Sequence, residues 1–288
     1  MKPMDNLMKR VMVIDSTGMA GHMISNCFKG LNKYEVIDVV CDSSYSNLMD
    51  QQALVRLFER QKPQVVINCA RVLIHESEDN PSQAIYVNSY FPHLLERLFK
   101  DTSTRIIHLS TDCVFSGQKG DYNENDQPDG ENYYARSKAL GEIINHKDLT
   151  LRTSFIGPNI EGREEELFHW FMMQKGEICG YNRVYWTGIT TLELARCTDE
   201  AIEQNLTGLY HLVPEKKISK YELLKLMQKS MKKNDLHIKK DEQLVLDKSL
   251  IDNRNRIFVK DYQQMFEELS LWMENKALYS GYFECSVE

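Results

Sequence analysis

Apolar residues fall along this chain in short blocks separated by longer amphipathic stretches. Residues 11–14, 34–40, 64–70, 105–110 and 149–155 are such blocks, rich in valine, isoleucine and leucine. Runs of this length predict strands covered on both faces. Residues 51–60, 82–100 and 133–145 carry helical spacing, as does the stretch after residue 18. Lys62-Pro63 ends one helical stretch and opens the next strand. Strand-helix alternation predicts an α/β fold of the Rossmann type, a doubly wound parallel sheet, over residues 9–157. Its ligand crevice would lie at the C-terminal ends of the strands. After Gly157-Pro158 the rhythm changes. Residues 164–174, 190–204, 219–232 and 265–275 read as helices, with Ser219 as an N-cap and Asp261-x-x-Gln264 resembling a capping box. Residues 208–213 read as a strand. Residues 158–288 thus predict mainly a smaller C-terminal lobe over the crevice, with some elements returning to the main sheet.

Composition narrows the class. The chain has 288 residues, 42% of them hydrophobic, enough for a full core. A net charge of -7 argues against a general nucleic-acid binder. The first ten residues lack a signal-peptide core, and no run reaches the length of a membrane helix. Seven cysteines without a CxxC pair suit free thiols in a reducing compartment, so the cytoplasm is the expected location.

The first strand leads into Asp15-Ser16-Thr17-Gly18-Met19-Ala20-Gly21 and then a helix. Dinucleotide sites use this strand-turn-helix geometry because glycines let a pyrophosphate approach a helix N-terminus. The usual spacing is Gly-x-x-Gly-x-x-Gly, and here aspartate stands at the first glycine. The turn therefore reads either as a nucleotide site, with Ser16, Thr17, Gly18 and Met19 beside the diphosphate, or as a plain connection. Asp42, 21 residues past Gly21, ends the second strand. It is placed to bond a ribose 2′-hydroxyl, which would favour NADH over NADPH, or to serve as a polar strand end. Asn47 and Leu48 would border the adenine, and Cys69, Ala70 and Arg71 would pass beside the cofactor.

The chemistry sits further on. Tyr134 and Lys138 lie four residues apart on one helical face, where a lysine lowers a neighbouring phenol's pKa. Such a tyrosine can exchange a proton with a substrate oxygen. The pair follows Ser110-Thr111-Asp112-Cys113-Val114-Phe115 at the end of an apolar strand.

Those motifs, with Thr17 to His22, Val65 to Ala70, Asn88-Ser89, Tyr122-x-Glu124-x-Asp126, Tyr134 to Glu142 and Leu151 to Ser154, occur in order over residues 10–160. In this the chain resembles the extended short-chain dehydrogenase/reductases, and among them the dTDP-4-dehydrorhamnose reductase-like nucleotide-sugar reductases. The resemblance implies NADPH or NADH as cofactor and a nucleotide sugar as substrate. It implies that Thr111 hydrogen-bonds the substrate carbonyl, Tyr134 protonates it, and Lys138 binds the nicotinamide ribose. Ser154 joins the cofactor set by the same likeness. Asp112, Arg152, His169 and Trp186 are candidate substrate contacts, with Arg71 between the two groups; each reads equally as surface charge or core packing. Dehydratases of this superfamily carry Thr-Asp-Glu where this chain has Thr111-Asp112-Cys113, so expulsion of water is not expected.

In the GDP-fucose synthase branch, a cysteine two residues after the catalytic threonine works with a histidine as an epimerase acid/base pair. Cys113 and His169 hold comparable places. The expectation is reduction of a 4-keto group on a nucleotide-linked 6-deoxyhexose, with UDP-2-acetamido-2,6-dideoxy-4-hexulose as a candidate, and with C3 epimerisation as an elaboration. Two alternatives stay open: a non-catalytic regulatory or binding subunit, motivated by Asp15, and a simple epimerase with bound NAD. The resemblance also implies a homodimer formed through residues 82–100 and 133–145.

Overall fold

The computed structural model describes residues 8–42, 44–160 and 166–284. The expected helix start at Glu164, and Cys285, lie outside the described residues. Five strands, β1 (Lys9–Ile14), β2 (Tyr34–Val39), β3 (Val65–Asn68), β4 (Arg105–Ser110) and β5 (Leu149–Arg152), pair in the order β2-β1-β3-β4-β5. A sixth strand, Gly208–His211, pairs parallel with β5. Every pairing in this sheet is parallel. The strand order reverses between β1 and β3, which opens a crevice at their C-terminal ends.

The pleat explains the continuous apolar blocks. Val11, Val13, Ile67, Leu109 and Leu151 bury on one face, in a core shared with Ala20, Met23 and Ile24 of helix Met19–Gly30 and Leu194 and Ala201 of helix Thr191–Glu203. Met12, Ile14, Val66 and Ile106 bury on the other face with Leu54, Phe58, Leu94 and Phe99. Both faces are dry, so neither parity of the strand can be polar.

The expected helix over 82–100 is one run with a wide turn inside it. Pro81–Ala84 leads into a π-helical turn, Ile85–Tyr90, and then Phe91–Phe99. Pro92 has no N–H for the Asn88 carbonyl, and its ring crowds that carbonyl, so the helix widens there. Asn88 then serves as a rivet. Its Oδ1 accepts from Val72 N at 2.9 Å, and its Nδ2 donates to the Val72 carbonyl and to Ser137 Oγ, each at 3.1 Å. Gly141 packs so closely on the Asn88 carbonyl that a Cβ there would collide with it.

The helix expected over 133–145 is shorter, Tyr133–Leu140. Gly141 caps it, and Glu142 turns inward instead of continuing. In the C-terminal half, Gly176–Trp186 pairs parallel with Leu236–Asp247 and antiparallel with Ile218–Ser219. The sequence expectation contained neither long strand. Ser219 forms the capping box with Glu222, whereas Asp261 caps Gln264 N at the start of Tyr262–Glu274.

Beneath the cleft lies a buried polar network. The Arg152 guanidinium donates to both oxygens of Glu142, from Nε at 2.8 Å and from Nη2 at 2.5 Å. Ser110 Oγ donates to Glu142 Oε1 at 2.6 Å. Arg152 Nη1 donates to His211 Nε2 at 2.9 Å, and His211 Nδ1 donates to the Ile251 carbonyl at 3.0 Å. Because Arg152 can only donate, His211 must be the neutral Nδ1–H tautomer. Burial and the Arg152 charge push its pKa down to about 3. The folded value lies below the unfolded one of about 6.5, so between these values only the unfolded chain takes the proton. Stability therefore falls as pH drops through that window, at up to about 1.4 kcal/mol per pH unit from this residue. His108, also buried and pulled down by desolvation, acts with the same sign. In His211→Gln, which keeps an acceptor for Arg152, thermal melts between neutral and mildly acidic pH should show a shallower decline. An unchanged slope would remove His211 as a cause.

Candidate active site

A cleft of about 440 Å³ opens at the C-terminal edge of the sheet. Its walls include Met19, Cys69, Arg71, Thr111, Asp112, Cys113, Tyr134, Lys138 and Ser154. Residues widely separated in the chain converge because parallel strands end on the same edge. Ser110 closes β4, so Thr111 stands at the rim as N-cap of the short turn Asp112–Val114 and accepts from Cys113 N at 3.1 Å. Asn132 caps the helix that carries Tyr134 and Lys138 by accepting from Ala135 N at 2.8 Å. The Lys138 ammonium donates to the Leu109 carbonyl at 2.7 Å, locking that helix to the end of β4.

The electrostatics differ from the expectation. Burial, with a contribution from Cys113, pushes the Tyr134 phenol well above its ordinary value, while Arg71 and the Thr111 hydroxyl pull the other way. Lys138 is itself held down to about 7 by burial, against the pull of Glu142. A half-charged lysine is a weak acidifier at neutral pH. Tyr134 is consequently protonated, the state a proton donor needs. The Cys113 thiol is pushed up to about 12 by burial and Asp112, so it is not a thiolate at neutral pH.

Several expected contacts fall elsewhere. His169 is not part of the cleft wall, and its ring hydrogen-bonds the Tyr282 hydroxyl at 3.1 Å. Arg152 is 1% exposed and consumed by Glu142 and His211, so it supports β5 instead of reaching a substrate. Trp186 is core, stacked on Tyr262 at 5.9 Å with Lys220 over its ring. Leu48 is fully buried in the second core layer, and Asn47 Nδ2 donates to the Val40 carbonyl at 2.7 Å. Neither side chain is an open adenine wall. Asp42 is exposed at the end of β2, but both its oxygens already accept, from Ser44 and Ser46. Those bonds hold its carboxyl below the usual range.

The cofactor turn keeps its shape despite the missing glycine. Asp15 adopts φ 61°, the left-handed conformation a glycine would hold and one that aspartate tolerates. Gly21 packs on the Asp15 carbonyl so tightly that a Cβ would clash. Ser16 N donates to the Val39 carbonyl at 3.1 Å, fixing the turn against β2. Thr17 Oγ1 is buried without a hydrogen-bond partner, a polar atom suited to a phosphate oxygen. Cys69 and Ala70 are buried at the end of β3. The cleft thus fits a dinucleotide at its nicotinamide end and in its backbone turn, with the Asp15 carboxylate as the discordant group.

Sequence reasoning did not find Glu166, Phe155 or the Glu142–Arg152–His211 network. Glu166 Oε1 accepts from Arg71 Nη2 at 2.8 Å, and Arg71 lies over the Phe155 ring at 5.1 Å. The last of three consecutive glutamates before an aromatic helix carries no linear signal of its own. Glu142 could have been suspected from its place one residue past a helix-ending glycine.

This fold and rim define a nucleotide-binding α/β protein of the extended short-chain dehydrogenase/reductase type. The family described as the RmlD substrate binding domain matches residues 8–243, and the chain belongs to it. Methionine adenosyltransferase 2 subunit beta of Danio rerio is 28% identical over 240 residues, covering 75% of this chain and 72% of that protein. A probable low-salt glycan biosynthesis reductase of Haloferax volcanii is 35% identical over 122 residues, covering 40% of this chain and 41% of that protein. The chain thus spans less than half the length of that relative. The crystal structure of a hypothetical dTDP-4-dehydrorhamnose reductase from Sulfolobus tokodaii superposes with a TM-score of 0.73 at 25% identity, covering 88% of this chain and 97% of that one. Among the described residues, no helix is long and apolar enough to cross a membrane.

Proposed function

We propose that the protein reduces the 4-keto group of a nucleotide-linked 6-deoxyhexose with NADPH or NADH. The observation that carries this is the convergence of Thr111, a protonated Tyr134 and Lys138 on one rim of the cleft. A bound nicotinamide cofactor supplies the hydride. Thr111 Oγ1, which donates to Asp112 Oδ1 at 3.2 Å, would turn to donate to the carbonyl oxygen, and Tyr134 Oη would give it a proton as negative charge develops there. Lys138 would hold the nicotinamide ribose, with Ser154 and Met19 on the cleft walls beside it. UDP-2-acetamido-2,6-dideoxy-4-hexulose is our candidate substrate, and deoxysugar synthesis in the cytoplasm the setting that goes with it. C3 epimerisation has less support, since Cys113 is a neutral thiol and His169 is turned to Tyr282. Ile85, Tyr90, Leu140 and Ile144 are exposed apolar residues on or next to the two helices expected to pair, and a homodimer through them is part of this proposal.

The test is oxidation of NADPH or NADH with UDP- and dTDP-linked 4-keto-6-deoxy sugars, in D2O with NMR of the product. Oxidation with deuterium-free C3 and C5 is the expected result; deuterium at C3 would restore the epimerase step. No oxidation with either cofactor would end the reductase reading. A second reading, a regulatory or binding subunit, is favoured by Asp15 in the diphosphate turn and by the long match to an adenosyltransferase subunit. That outcome would leave it standing.

A further inference from the structure

Two opposite charges frame the crevice. Asp15 follows β1 and Arg71 follows β3, and the strand order reverses between these two strands. Ile14 and Asn68 pair in register, so both residues issue from neighbouring strand ends. Ligands of open α/β sheets enter at this point. The Asp15 carboxylate leans over Gly18, where a Cβ would lie 2.5 Å from Oδ2. Gly18 is the N-cap of helix Met19–Gly30, and that cap receives no side-chain hydrogen bond of its own. A carboxylate there uses the positive potential of the helix start and repels a second anion. Arg71 faces the cleft from the other strand end. It pairs with Glu166, which precedes helix Leu167–Met173 of the C-terminal half.

We propose that Asp15 and Arg71 form a charge couple that sets dinucleotide affinity: Asp15 opposes the cofactor diphosphate, and Arg71 exchanges the Glu166 carboxylate for it. This rests on the cofactor reading above. Arg71 gives Glu166 a single hydrogen bond, from Nη2 to Oε1, whereas a phosphate can take paired guanidinium N–H donors, so the exchange costs Arg71 no bonding. The Arg71–Glu166 contact and the bound cofactor are then mutually exclusive, and a Rossmann-sheet residue lets go of the C-terminal half when cofactor enters.

The experiment is direct titration of the full chain with NADPH and NADH by calorimetry, without substrate. Asp15→Asn removes the charge yet tolerates the left-handed backbone, and should bind about tenfold tighter. Asp15→Gly should match it; tightening by glycine alone would assign the effect to bulk and overturn the couple. Glu166→Gln should tighten binding several-fold, and Arg71→Met should weaken it about tenfold or more, with Arg71→Lys recovering part. Weaker binding in Glu166→Gln, or no change in Asp15→Asn, would overturn the exchange, as would a lack of binding by wild type and Asp15→Asn alike. Thermal melts of each variant show that it is folded. A protein that binds as described but oxidises no cofactor with 4-keto sugars would end the reductase reading and leave the couple intact.

Discussion

Replacing Tyr134 by phenylalanine should lower kcat for 4-keto reduction by about 10²–10⁴-fold, the usual contribution of a positioned general acid. Tyr134 is buried, so the variant loses one hydroxyl and keeps the ring's packing. KM should move little, because the lost interaction develops with charge on the oxygen and not in the ground state. Cofactor affinity, measured by titration, should also hold. The pH profile sharpens the test. Burial raises the Tyr134 phenol, so the wild-type rate should not fall off through neutral pH on account of this residue. Lys138, held to about 7 by burial, changes charge near neutrality. As pH rises through that value its ammonium is lost, and with it the charge of the contact proposed for the nicotinamide ribose. A Tyr134→Phe enzyme within a few-fold of wild type would show that another group, or water, delivers the proton.

Removing the arginine of the buried ion pair should be the most damaging single change to the fold. Arg152→Met leaves Glu142 with two oxygens that had accepted guanidinium bonds of 2.5 and 2.8 Å in a dry place. Their side chains are 2% and 4% exposed, so no solvent takes over. Breaking such a pair from one side costs about 3–5 kcal/mol. For a chain of this size that is a drop on the order of 10 °C in Tm. Adding Glu142→Leu to Arg152→Met should return much of the loss, since the penalty is the uncompensated charge and not the missing attraction. If Arg152→Met alone melts within a degree or two of wild type, the pair is not a support of β5 and the substrate role expected for Arg152 regains its standing. The same network reaches the site, because Ser110 donates to Glu142 immediately before Thr111. A loss of kcat beyond the loss of folded protein would register that link.

The regular part of the fold was legible. Five apolar blocks became β1 to β5, displaced by a few residues at their ends, because strands covered on both faces cannot hide their hydrophobicity. Residues 208–213 read as a strand and joined the main sheet as Gly208–His211. The C-terminal pairing of Gly176–Trp186 with Leu236–Asp247 was not legible. Gly176–Trp186 buries alternate residues only, Leu236–Asp247 is largely exposed and rich in charge, and Gly176 pairs with Leu236, far along the chain. Helix 133–145 was overextended because residues 142–145 do not break helical spacing; what stops it is Glu142's buried partner, a fact of the third dimension.

The candidate site divides along the same line. Thr111, Cys113, Tyr134 and Lys138 were readable because their motifs are local: a strand end, a turn, and one turn of helix. The sequence alone thus determined which groups could do chemistry and that they sit on an α/β rim. Their state, and the fate of more distant candidates, depended on what packs around them. Arg152, Trp186 and Leu48 looked available and are buried, His169 looked catalytic and bonds Tyr282, and Asp42's oxygens are taken by its own neighbours. Only tertiary structure decided that Asp15 and Arg71 follow neighbouring strand ends, with Glu166 arriving from far along the chain. The reason is physical. Local motifs fix the backbone within a few residues, whereas charge and burial at a site are sums over every segment the fold brings within a few ångströms.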